Sequence, residues 1–289
     1  MKIPENARVA FQGERGAFSE EAAVKLLGEE ITLVPRPTFE AAFSAISDGV
    51  ADFILAPIEN SLAGSVHRSF DLLVESRMNI LAEVIIPIAH NLIVAPGGSF
   101  EGVQVVESHP VALAQCEQFF AANPKLKRIA TEDTAGSVRE ITRAKDPTRA
   151  AIAGSRAARI YGGVIVREHL EDNPENYTRF LLLSASPGRP RSSSQLEPDK
   201  LSLVFQLDHR PGALYHALEP FARRNLNLMK IESRPVHGRP WQYRFYLDLQ
   251  TSQREPEVRA ALQELEKLVV DLRILGSYPA AATTEAVKS

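Results

Sequence analysis

The amino-acid sequence predicts an α/β protein of two domains, of which the second has the ferredoxin-like βαββαβ order. Strand-like runs alternate with helical patterns through most of the chain, a Pro- and Ser-rich segment then interrupts both patterns, and a second set of strands and helices follows. The 289 residues suit two domains of about 100–200 residues each. We place the first domain at residues 7–184, a linker at 185–200 and the second domain at 201–277.

The first domain consists of short β-rich runs and amphipathic helical patterns in alternation. Helices are predicted where apolar residues recur at three- and four-residue spacing. Ser19 and Thr38 are suitable N-caps, and Gly162 and Gly163 a suitable C-cap. The predicted strands are 9–12, 32–34, 53–57, 85–94, 103–106 and 150–153, and the predicted helices are 20–27, 40–46, 110–122 and 135–144.

The second domain begins after a segment that shows neither the helical nor the strand period. This segment, 184–200, contains three prolines and the run Ser192-Ser193-Ser194, and it is therefore predicted to be a linker. The elements that follow it have the order βαββαβ, which is the ferredoxin-like unit. They are strand 201–207, helix 212–224, strand 226–233, strand 242–249, helix 256–268 and strand 270–275.

The composition excludes two classes of partner. The formal net charge is -3, and no stripe of Lys and Arg interleaved with aromatic residues occurs, so we expect no nucleic acid. The most apolar segment, 81–95, is interrupted by Glu83, Pro87, His90 and Asn91, and it falls short of the roughly 20 residues of a membrane span. It predicts two buried strands, and we expect no membrane partner.

The N-terminus and the cysteine content favour a cytoplasmic protein. Residues 1–8 carry charges and a proline where a signal peptide needs an apolar stretch of about 7–15 residues. Cys116 is the one cysteine of the sequence, so no intrachain disulfide can form. We therefore expect the protein in the cytoplasm.

Polar residues follow the apolar run 53–58 abruptly, as Glu59, Asn60 and Ser61. A continuous apolar run is typical of a strand that is buried on both faces, and polar groups at its carboxyl end mark the ligand crevice of open α/β sheets. A solvated turn is the alternative explanation for this loop alone. The other polar loops of the domain favour the crevice.

Two helix starts are candidates for binding an anion. Pro110 suits the first helical position, with Ser108 near the cap, and the next helix begins at Asp133 and Thr134. Backbone N–H groups at helix N-termini attract carboxylates, so a substrate carboxylate could bind at these turns. Capping alone explains Thr134 at least as well.

Motifs for nucleotides and metals are missing. The segment 13–16 lacks the third glycine of a dinucleotide loop and the Gly-Lys-Ser/Thr of a P-loop, and the seven histidines show no H-E-x-x-H spacing. We therefore expect no metal and no cofactor. His109 is the one histidine that we single out as functional, with a role in shaping its turn as the alternative. Gln115 is expected on the second helical turn, facing either the crevice or solvent.

Thr178 and Arg179 introduce the apolar run 181–183. If the strand begins at Thr178, its side chain shares a face with Phe180, and Arg179 takes the other face. A threonine hydroxyl in a dry crevice can donate a hydrogen bond to a leaving oxygen. The residues by themselves thus predict a cofactorless protein that binds a small anion at strand ends.

Four stretches of the chain are similar, in order and spacing, to those of the prephenate dehydratase family. The resemblance covers residues 8–184. It implies two α/β lobes like those of type 2 periplasmic binding proteins, with the active site in the cleft between them. The stretches are Phe11-Gln12-Gly13 with Gly16-Ala17-Phe18-Ser19, Pro57-Ile58-Glu59-Asn60-Ser61 with Gly64-Ser65-Val66, Ser108-His109-Pro110 with Ala112-Leu113-Ala114-Gln115-Cys116, and Asn176-Tyr177-Thr178-Arg179-Phe180.

The second domain resembles an ACT domain of the kind attached to these enzymes, in which phenylalanine binds between paired domains. The resemblance implies L-phenylalanine as an allosteric effector and, because ACT domains commonly pair, a homodimer or homotetramer. A tight helix entry and a solvated strand end are the alternative explanations of the two matching stretches. The effector-binding candidates that they supply are Gly212, Ala213 and Leu214, and Glu232, Ser233 and Arg234.

The implied reaction converts prephenate into phenylpyruvate, carbon dioxide and water in the biosynthesis of L-phenylalanine. By resemblance, Thr178 is the catalytic group that acts on the departing hydroxyl. The residues implied in binding prephenate are Asn60, Ser61, Ser108 and Gln115, with Arg179 balancing its negative charge. Two alternatives stay open: an arogenate dehydratase, which performs the same chemistry on an amino acid, and a non-catalytic amino-acid sensor.

Overall fold

The chain folds into two compact units. One contains Pro4–Leu72 and Val84–Phe180, and the other contains Leu73–Glu83 together with the chain from Leu181 onward. The computed structural model describes residues 4–185, 197–236, 238–239 and 241–281.

This division differs in one place from the boundaries expected from the sequence. The segment Leu73–Glu83, expected within 7–184, packs with the C-terminal part of the chain. The predicted linker 185–200 lies mostly outside the described residues. The predicted boundaries, with the second domain at 201–277, therefore stay a prediction.

The first sheet contains six strands. They are β1 (Arg8–Gln12), β2 (Thr32–Arg36), β3 (Phe53–Asn60), β4 (Gly64–Ser65), β5 (Asn79–Pro87) and, later in the chain, β11 (Tyr177–Ser184). Their order is β2-β1-β3-β11-β5, with β4 paired to β3, and β1 is parallel to both β2 and β3. The apolar run of β3 is buried except at Pro57, which confirms the prediction of a strand buried on both faces.

The second sheet contains five strands. They are β6 (Asn91–Val94), β7 (Val105–Ser108), β8 (Lys127–Ala130), β9 (Arg149–Ala153) and β10 (Val164–Arg167). Their order is β10-β6-β9-β7-β8, and Leu92, Val106 and Ile152 are fully buried in its core. The sequence does not predict β8 and β10, because these edge strands are exposed or half-buried and lack a long apolar run.

Seven α-helices accompany these two sheets among the described residues. They are α1 (Phe18–Leu27), α2 (Phe39–Ser47), α3 (His67–Glu75), α4 (Pro110–Ala114), α5 (Glu117–Ala122), α6 (Thr134–Ala144) and α7 (Ser155–Tyr161). Within the described ranges, no helix has both the length and the apolar character to cross a membrane.

Two of the three predicted helix caps are confirmed. Thr38 accepts a hydrogen bond from the Ala41 N–H at 3.1 Å, and Gly162 ends α7 at a φ of 72°. The prediction of Ser19 as an N-cap is wrong, because α1 begins two residues earlier than predicted, at Phe18, with Ala17 at the cap. Ser19 is instead buried in the first turn.

The predicted helix 110–122 is interrupted at Gln115 and Cys116, so the prediction of one continuous helix is wrong. The Asp172 carboxylate accepts hydrogen bonds from the N–H groups of Glu117 at 2.8 Å and Gln118 at 2.9 Å. The Asp172 N–H donates to the Gln115 carbonyl at 2.7 Å. Asp172 thus satisfies backbone groups at the end of α4 and at the start of α5.

Cys116 lies in this interruption and is fully buried. Burial and, to a smaller extent, the Asp172 carboxylate raise the pKa of the Cys116 thiol to about 12. The thiol packs in the core of the second sheet with Leu113 and Phe120. It therefore behaves as a small apolar side chain.

The C-terminal part of the chain forms a four-stranded antiparallel sheet with two helices. Its elements are β12 (Lys200–Gln206), α8 (Ala213–Ala222), β13 (Leu228–Pro235), β14 (Tyr243–Leu249), α9 (Pro256–Glu266) and β15 (Asp271–Tyr278). The strand order is β13-β14-β12-β15, and Phe205, Phe221 and Leu265 share one core. The predicted βαββαβ order is confirmed.

A buried ion pair joins β5 to β12 within this C-terminal unit. The Lys200 ammonium lies 2.9 and 3.0 Å from the two carboxylate oxygens of Glu83, and the two side chains are only 5% and 2% exposed. Asp248 lies 4.0 Å from the same ammonium. The positive charge of Lys200 thus balances the carboxylates around it in an interior where an uncompensated charge is costly.

We expect Lys200→Met to lower the free energy of unfolding by about 3–5 kcal/mol, because it leaves the buried Glu83 carboxylate without the Lys200 ammonium. Urea denaturation of the full chain measures the loss. The matched control is the double variant Glu83→Leu with Lys200→Met, which removes both charges and should recover most of the stability. A double variant as unstable as the single one would contradict this account.

Candidate active site

The side chain of Asn60, at the end of β3, joins this strand to the start of β11. Its Oδ1 accepts hydrogen bonds from the N–H groups of Leu62 at 3.0 Å and Ala63 at 2.8 Å. The amide nitrogen of Asn60 therefore faces β11. There it donates to Asn176 Oδ1 at 2.8 Å, to the Tyr177 carbonyl at 3.1 Å and to Thr178 Oγ1 at 2.9 Å.

Ser61 connects the same two segments through its backbone and its hydroxyl. The hydroxyl donates to the Glu175 carbonyl at 2.8 Å and accepts from the Tyr177 N–H at 2.9 Å. The Ser61 N–H donates to the Tyr177 carbonyl at 2.8 Å. The Ser61 side chain thus holds the loop in place, and a direct contact with substrate stays a prediction.

Thr178 is 8% exposed, and its hydroxyl oxygen accepts the hydrogen bond from Asn60. Among the described residues, no acceptor for the Thr178 hydroxyl proton is recorded. A hydroxyl that accepts one hydrogen bond and has its own proton available is suited to donate to a bound ligand. The structure thus places the predicted catalytic residue beside the predicted binding residue Asn60.

Gln115 is the C-cap of α4 and belongs to the same cluster. Its Oε1 accepts from Asn176 Nδ2 at 3.0 Å and lies 2.9 Å from His90 Nε2. The structure therefore brings Asn60, Gln115 and Thr178 together through Asn176. Of the two orientations expected for the Gln115 side chain, toward the crevice or toward solvent, the structure shows it directed into this polar cluster.

His90 and Asn176 are members of the cluster that the sequence analysis did not select. His90 is 2% exposed and Asn176 is 1% exposed. Burial lowers the pKa of His90, against an opposing effect of its hydrogen bond to Gln115. The signal that could have revealed His90 is its position, with Asn91, inside the otherwise apolar segment 81–95.

Arg179 lies on the other face of β11 from Thr178, as the alternation of strand residues predicts. Its guanidinium lies 3.6 Å from the Glu59 carboxylate, and its side chain is 12% exposed. Arg179 is thus placed beside a carboxylate of the protein rather than beside Asn60. Its role in balancing the charge of a substrate stays a prediction.

The turn between β7 and α4 contains Ser108 and His109. Ser108 is fully buried, and its hydroxyl donates to the Ile152 carbonyl at 2.6 Å, so its role in binding substrate stays a prediction. His109 caps α4, since its Nδ1 accepts from the Val111 N–H at 3.3 Å. The structure thus supports the capping explanation of this turn, and His109 also lines a cavity.

The cavity beside His109 has a volume of about 200 Å³. The N-termini of α1 and α6 meet there, beside the His109 turn at which α4 begins. Phe18 lines this cavity and also contacts His90 of the cluster edge-on, with the ring centroids 5.9 Å apart. Lining residues include Ala17, Phe18 and Ser19 of α1, His109, and Asp133 and Thr134 of α6.

The effector candidates lie in two places in the C-terminal unit. Ala213 and Leu214, which follow Gly212 at the start of α8, line a cavity of about 130 Å³. Glu232, Ser233 and Arg234 lie on β13, an edge strand of the sheet. A site shared by two chains, as the resemblance implies, does not require the two groups to meet within one chain.

Metal-binding side chains do not form a cluster within the described ranges. No group of three or more His, Cys, Asp or Glu that could hold a metal ion occurs there. The polar cluster around Thr178 consists instead of amides, an imidazole and a hydroxyl. Such groups can orient a ligand and donate hydrogen bonds to it.

Family models match both parts of the chain. The model described as prephenate dehydratase matches residues 9–188, and the model described as ACT domain matches residues 202–267. The first match alone spans more than half of the sequence.

A curated relative and two solved structures are similar to nearly the whole chain. The Arabidopsis thaliana arogenate dehydratase/prephenate dehydratase 2 is 41% identical over 285 residues, with 96% of this chain and 74% of that protein covered. A prephenate dehydratase from Arthrobacter aurescens in complex with L-Phe has a TM-score of 0.85 and 30% identity, covering 94% and 90% of the two chains. A structure described as GqqA, a quorum quenching acylase, has a TM-score of 0.84 and 31% identity, covering 94% and 98%.

These comparisons confirm the predicted fold class, which is a two-lobed α/β domain like the type 2 periplasmic binding proteins, followed by an ACT domain. The polar cluster around Thr178 and the anion-attracting helix ends both fall within residues 9–188. On this evidence, the chain belongs to the prephenate dehydratase family of aromatic amino acid biosynthesis.

Proposed function

We propose that the protein is a prephenate dehydratase, which converts prephenate into phenylpyruvate in the biosynthesis of L-phenylalanine. The observation that carries the proposal is the pairing of Thr178 with Asn60. The Asn60 amide donates to Thr178 Oγ1 at 2.9 Å, so the Thr178 proton is available for the substrate. This pair lies inside the part of the chain that matches the prephenate dehydratase model.

The reaction needs a group that stabilises the departing hydroxyl. As the ring carboxylate leaves as carbon dioxide, its bonding electrons enter the ring, the C–O bond breaks and the ring becomes aromatic. The hydroxide that leaves takes up a proton and becomes water. A hydrogen bond from Thr178 to this oxygen stabilises the negative charge that develops on it, and its benefit depends on the position set by Asn60.

Prephenate is a dianion, and its carboxylates need partners in the cleft. The cavity at the starts of α1 and α6 offers backbone N–H groups and the positive ends of two helix dipoles. His109 at the same cavity is a further donor. We therefore propose that one carboxylate binds here, with Asn60 and Gln115 orienting the reacting ring.

Arogenate dehydratase is the second candidate function. It is favoured by the Arabidopsis relative, whose name combines arogenate and prephenate dehydratase. Prephenate and arogenate differ in the side chain and share the ring on which Thr178 would act. The proposed role of Thr178 therefore holds for both substrates.

We further propose that L-phenylalanine regulates the enzyme through the ACT domain, and that pairing of these domains makes a homodimer or homotetramer in the cytoplasm. The complex of the Arthrobacter enzyme with L-Phe supports the effector. Met229 and Ile231 are exposed apolar residues on the edge strand β13, which supports pairing. A ligand regulates to the extent that it prefers one conformation over another.

We expect the purified full-length protein to form phenylpyruvate from prephenate and L-phenylalanine to suppress this turnover. The measurement follows both products in parallel assays, phenylpyruvate from prephenate and phenylalanine from arogenate. Faster turnover of arogenate would assign the second candidate function. No turnover of either substrate by folded protein would leave the amino-acid sensor and refute both dehydratases.

We expect Thr178→Val to lower kcat by about 10²–10³-fold, the effect of removing one hydrogen bond aimed at a developing charge. The fold should tolerate this change, because Asn60 still donates to Asn176 and Tyr177. Thr178→Ser, which keeps the hydroxyl, is the matched control and should retain most activity. A folded Thr178→Val variant with the kcat of the wild type would refute the catalytic role.

We expect Gly212→Ala to raise the concentration of L-phenylalanine that gives half-inhibition by at least about fivefold. Gly212 has a φ of 76° and Gly238, in the same domain, has a φ of 75°. Alanine is strained by a similar amount at both positions. Gly238→Ala is thus a control for strain alone, and equal effects of the two variants on inhibition would contradict the effector assignment.

A further inference from the structure

We infer that His90 is a positioning residue of the candidate site, whose Nε2–H is the terminal donor of a hydrogen-bond chain that leads to Thr178. The chain runs from His90 through Gln115, Asn176 and Asn60 to the Thr178 hydroxyl. The role of His90 in turnover rests on the proposed dehydration. The direction of the hydrogen bonds follows from the contacts alone.

The direction is set first at Asn60. Its Oδ1 is occupied by the N–H groups of Leu62 and Ala63, so the side-chain nitrogen faces Asn176 and Thr178. An amide nitrogen only donates. Asn176 Oδ1 and Thr178 Oγ1 are therefore both acceptors of this one amide.

The same reasoning fixes the orientation of the next two amides, Asn176 and Gln115. Because Asn176 accepts with its oxygen, its nitrogen is the atom that donates to Gln115 Oε1, at 3.0 Å. Gln115 Oε1 also lies 2.9 Å from His90 Nε2. Turning the Gln115 amide over would place a nitrogen against the Asn176 donor, so both contacts require the oxygen here.

A carbonyl oxygen can only accept, which makes His90 Nε2 a donor. A neutral imidazole carries one N–H, so the other nitrogen, Nδ1, is then unprotonated. Burial lowers the pKa of His90, which favours this neutral ring. Were the proton on Nδ1 instead, two lone pairs would face each other at 2.9 Å in a buried site.

The backbone around His90 holds the ring in this place. The His90 N–H donates to the Glu171 carboxylate at 2.7 Å, and the His90 carbonyl accepts from the Leu170 N–H at 2.8 Å. Asp172, which follows Glu171 in the sequence, donates its N–H to the Gln115 carbonyl at 2.7 Å. One short segment, 170–172, thus sets the positions of both His90 and Gln115.

Packing alone does not account for a histidine at this position. His90 Nδ1 is buried and has no hydrogen-bond partner among the described residues. An apolar side chain of similar size would fill the space without burying this polar atom. The single hydrogen bond to Gln115 is the polar contact that the imidazole ring makes, and it is what a substitution would remove.

The test compares two substitutions of His90 in the full-length protein. His90→Leu should lower kcat for prephenate by about 10- to 100-fold, as expected for a partner behind a reacting group. KM should change by less than about threefold, since His90 does not line the cavity proposed to bind the substrate carboxylate. His90→Gln, whose side-chain nitrogen can donate to Gln115, should recover most of the lost kcat. Equal losses in the two variants would overturn the inference.

A double-mutant cycle separates positioning from general destabilisation. If His90 acts through Thr178, His90→Leu should cause little further loss of kcat in a Thr178→Val background. Fully additive losses would overturn the inference. Ser69→Ala is the control, because Ser69 does not belong to the hydrogen-bond chain. Like His90, Ser69 is buried and has a polar side-chain atom without a hydrogen-bond partner among the described residues. It should leave kcat unchanged.

The tautomer of His90 provides a readout that needs no turnover. Nitrogen NMR of histidine-labelled protein at neutral pH, with His90→Gln to assign the signal, should show a neutral ring protonated at Nε2. A ring protonated at Nδ1, or at both nitrogens, would overturn the direction of the chain. If folded wild type turned over neither prephenate nor arogenate, the proposed function would fail while the tautomer still decided the direction.

Discussion

The hydrogen bonds of the Asn60 side chain are the contacts on which the rest of the candidate site depends. Its oxygen closes the turn after β3, and its nitrogen binds the segment that opens β11. These two segments are far apart in the sequence. Because the turn uses the oxygen, the nitrogen is oriented before any ligand arrives, and this orientation makes Thr178 an acceptor. Preorganisation of this kind avoids a reorganisation of the site during the reaction.

The side chains of the hydrogen-bond chain from His90 to Thr178 are neutral, and its contact with the Glu171 carboxylate is made by the backbone N–H of His90. His90, Asn176 and Thr178 are buried, and Asn60 and Gln115 are half-buried. None of these side chains carries a formal charge, so burying them is less costly than burying an ion pair. The charges of Arg179 and Glu59 lie on the other face of the sheet. Substrate carboxylates would be received at helix ends, where partial charges are already present and need no counter-ion. The weak acid Thr178 can thus act in a site where its position matters more than its pKa.

Patterns that are local in the sequence were sufficient to predict much of the fold. The apolar run of β3 and its polar end, the βαββαβ order, and the opposite faces of Thr178 and Arg179 all depend on residues close together in the chain. What the sequence could not show depends on distant contacts. The break between α4 and α5 is stabilised by Asp172, 55 residues from Glu117. Likewise, the polar partner of His90 is Gln115, 25 residues further along.

The residues of the candidate site also divide into those that local sequence patterns indicate and those that only distant contacts reveal. Asn60 and Thr178 were selected from their positions beside apolar runs and again from the family motifs, and the structure then gives the contact between them. Ser108 looks like a cap in the sequence, yet its hydroxyl is used by the Ile152 carbonyl of a neighbouring strand. His90 stands in an apolar segment, where a polar residue is easily taken for an interruption of a strand. Only its burial and its contact with Gln115 show that it belongs to the site.

The burial of Cys116 has a practical consequence for studying this protein in solution. With a thiol pKa of about 12, only roughly one molecule in 10⁵ carries the reactive thiolate at neutral pH. Cys116 is also the one cysteine in the sequence. The native protein is therefore expected to react very slowly with thiol reagents. A single cysteine introduced at any exposed position would become the preferred attachment point for a fluorescent or spin label, without removal of the native thiol.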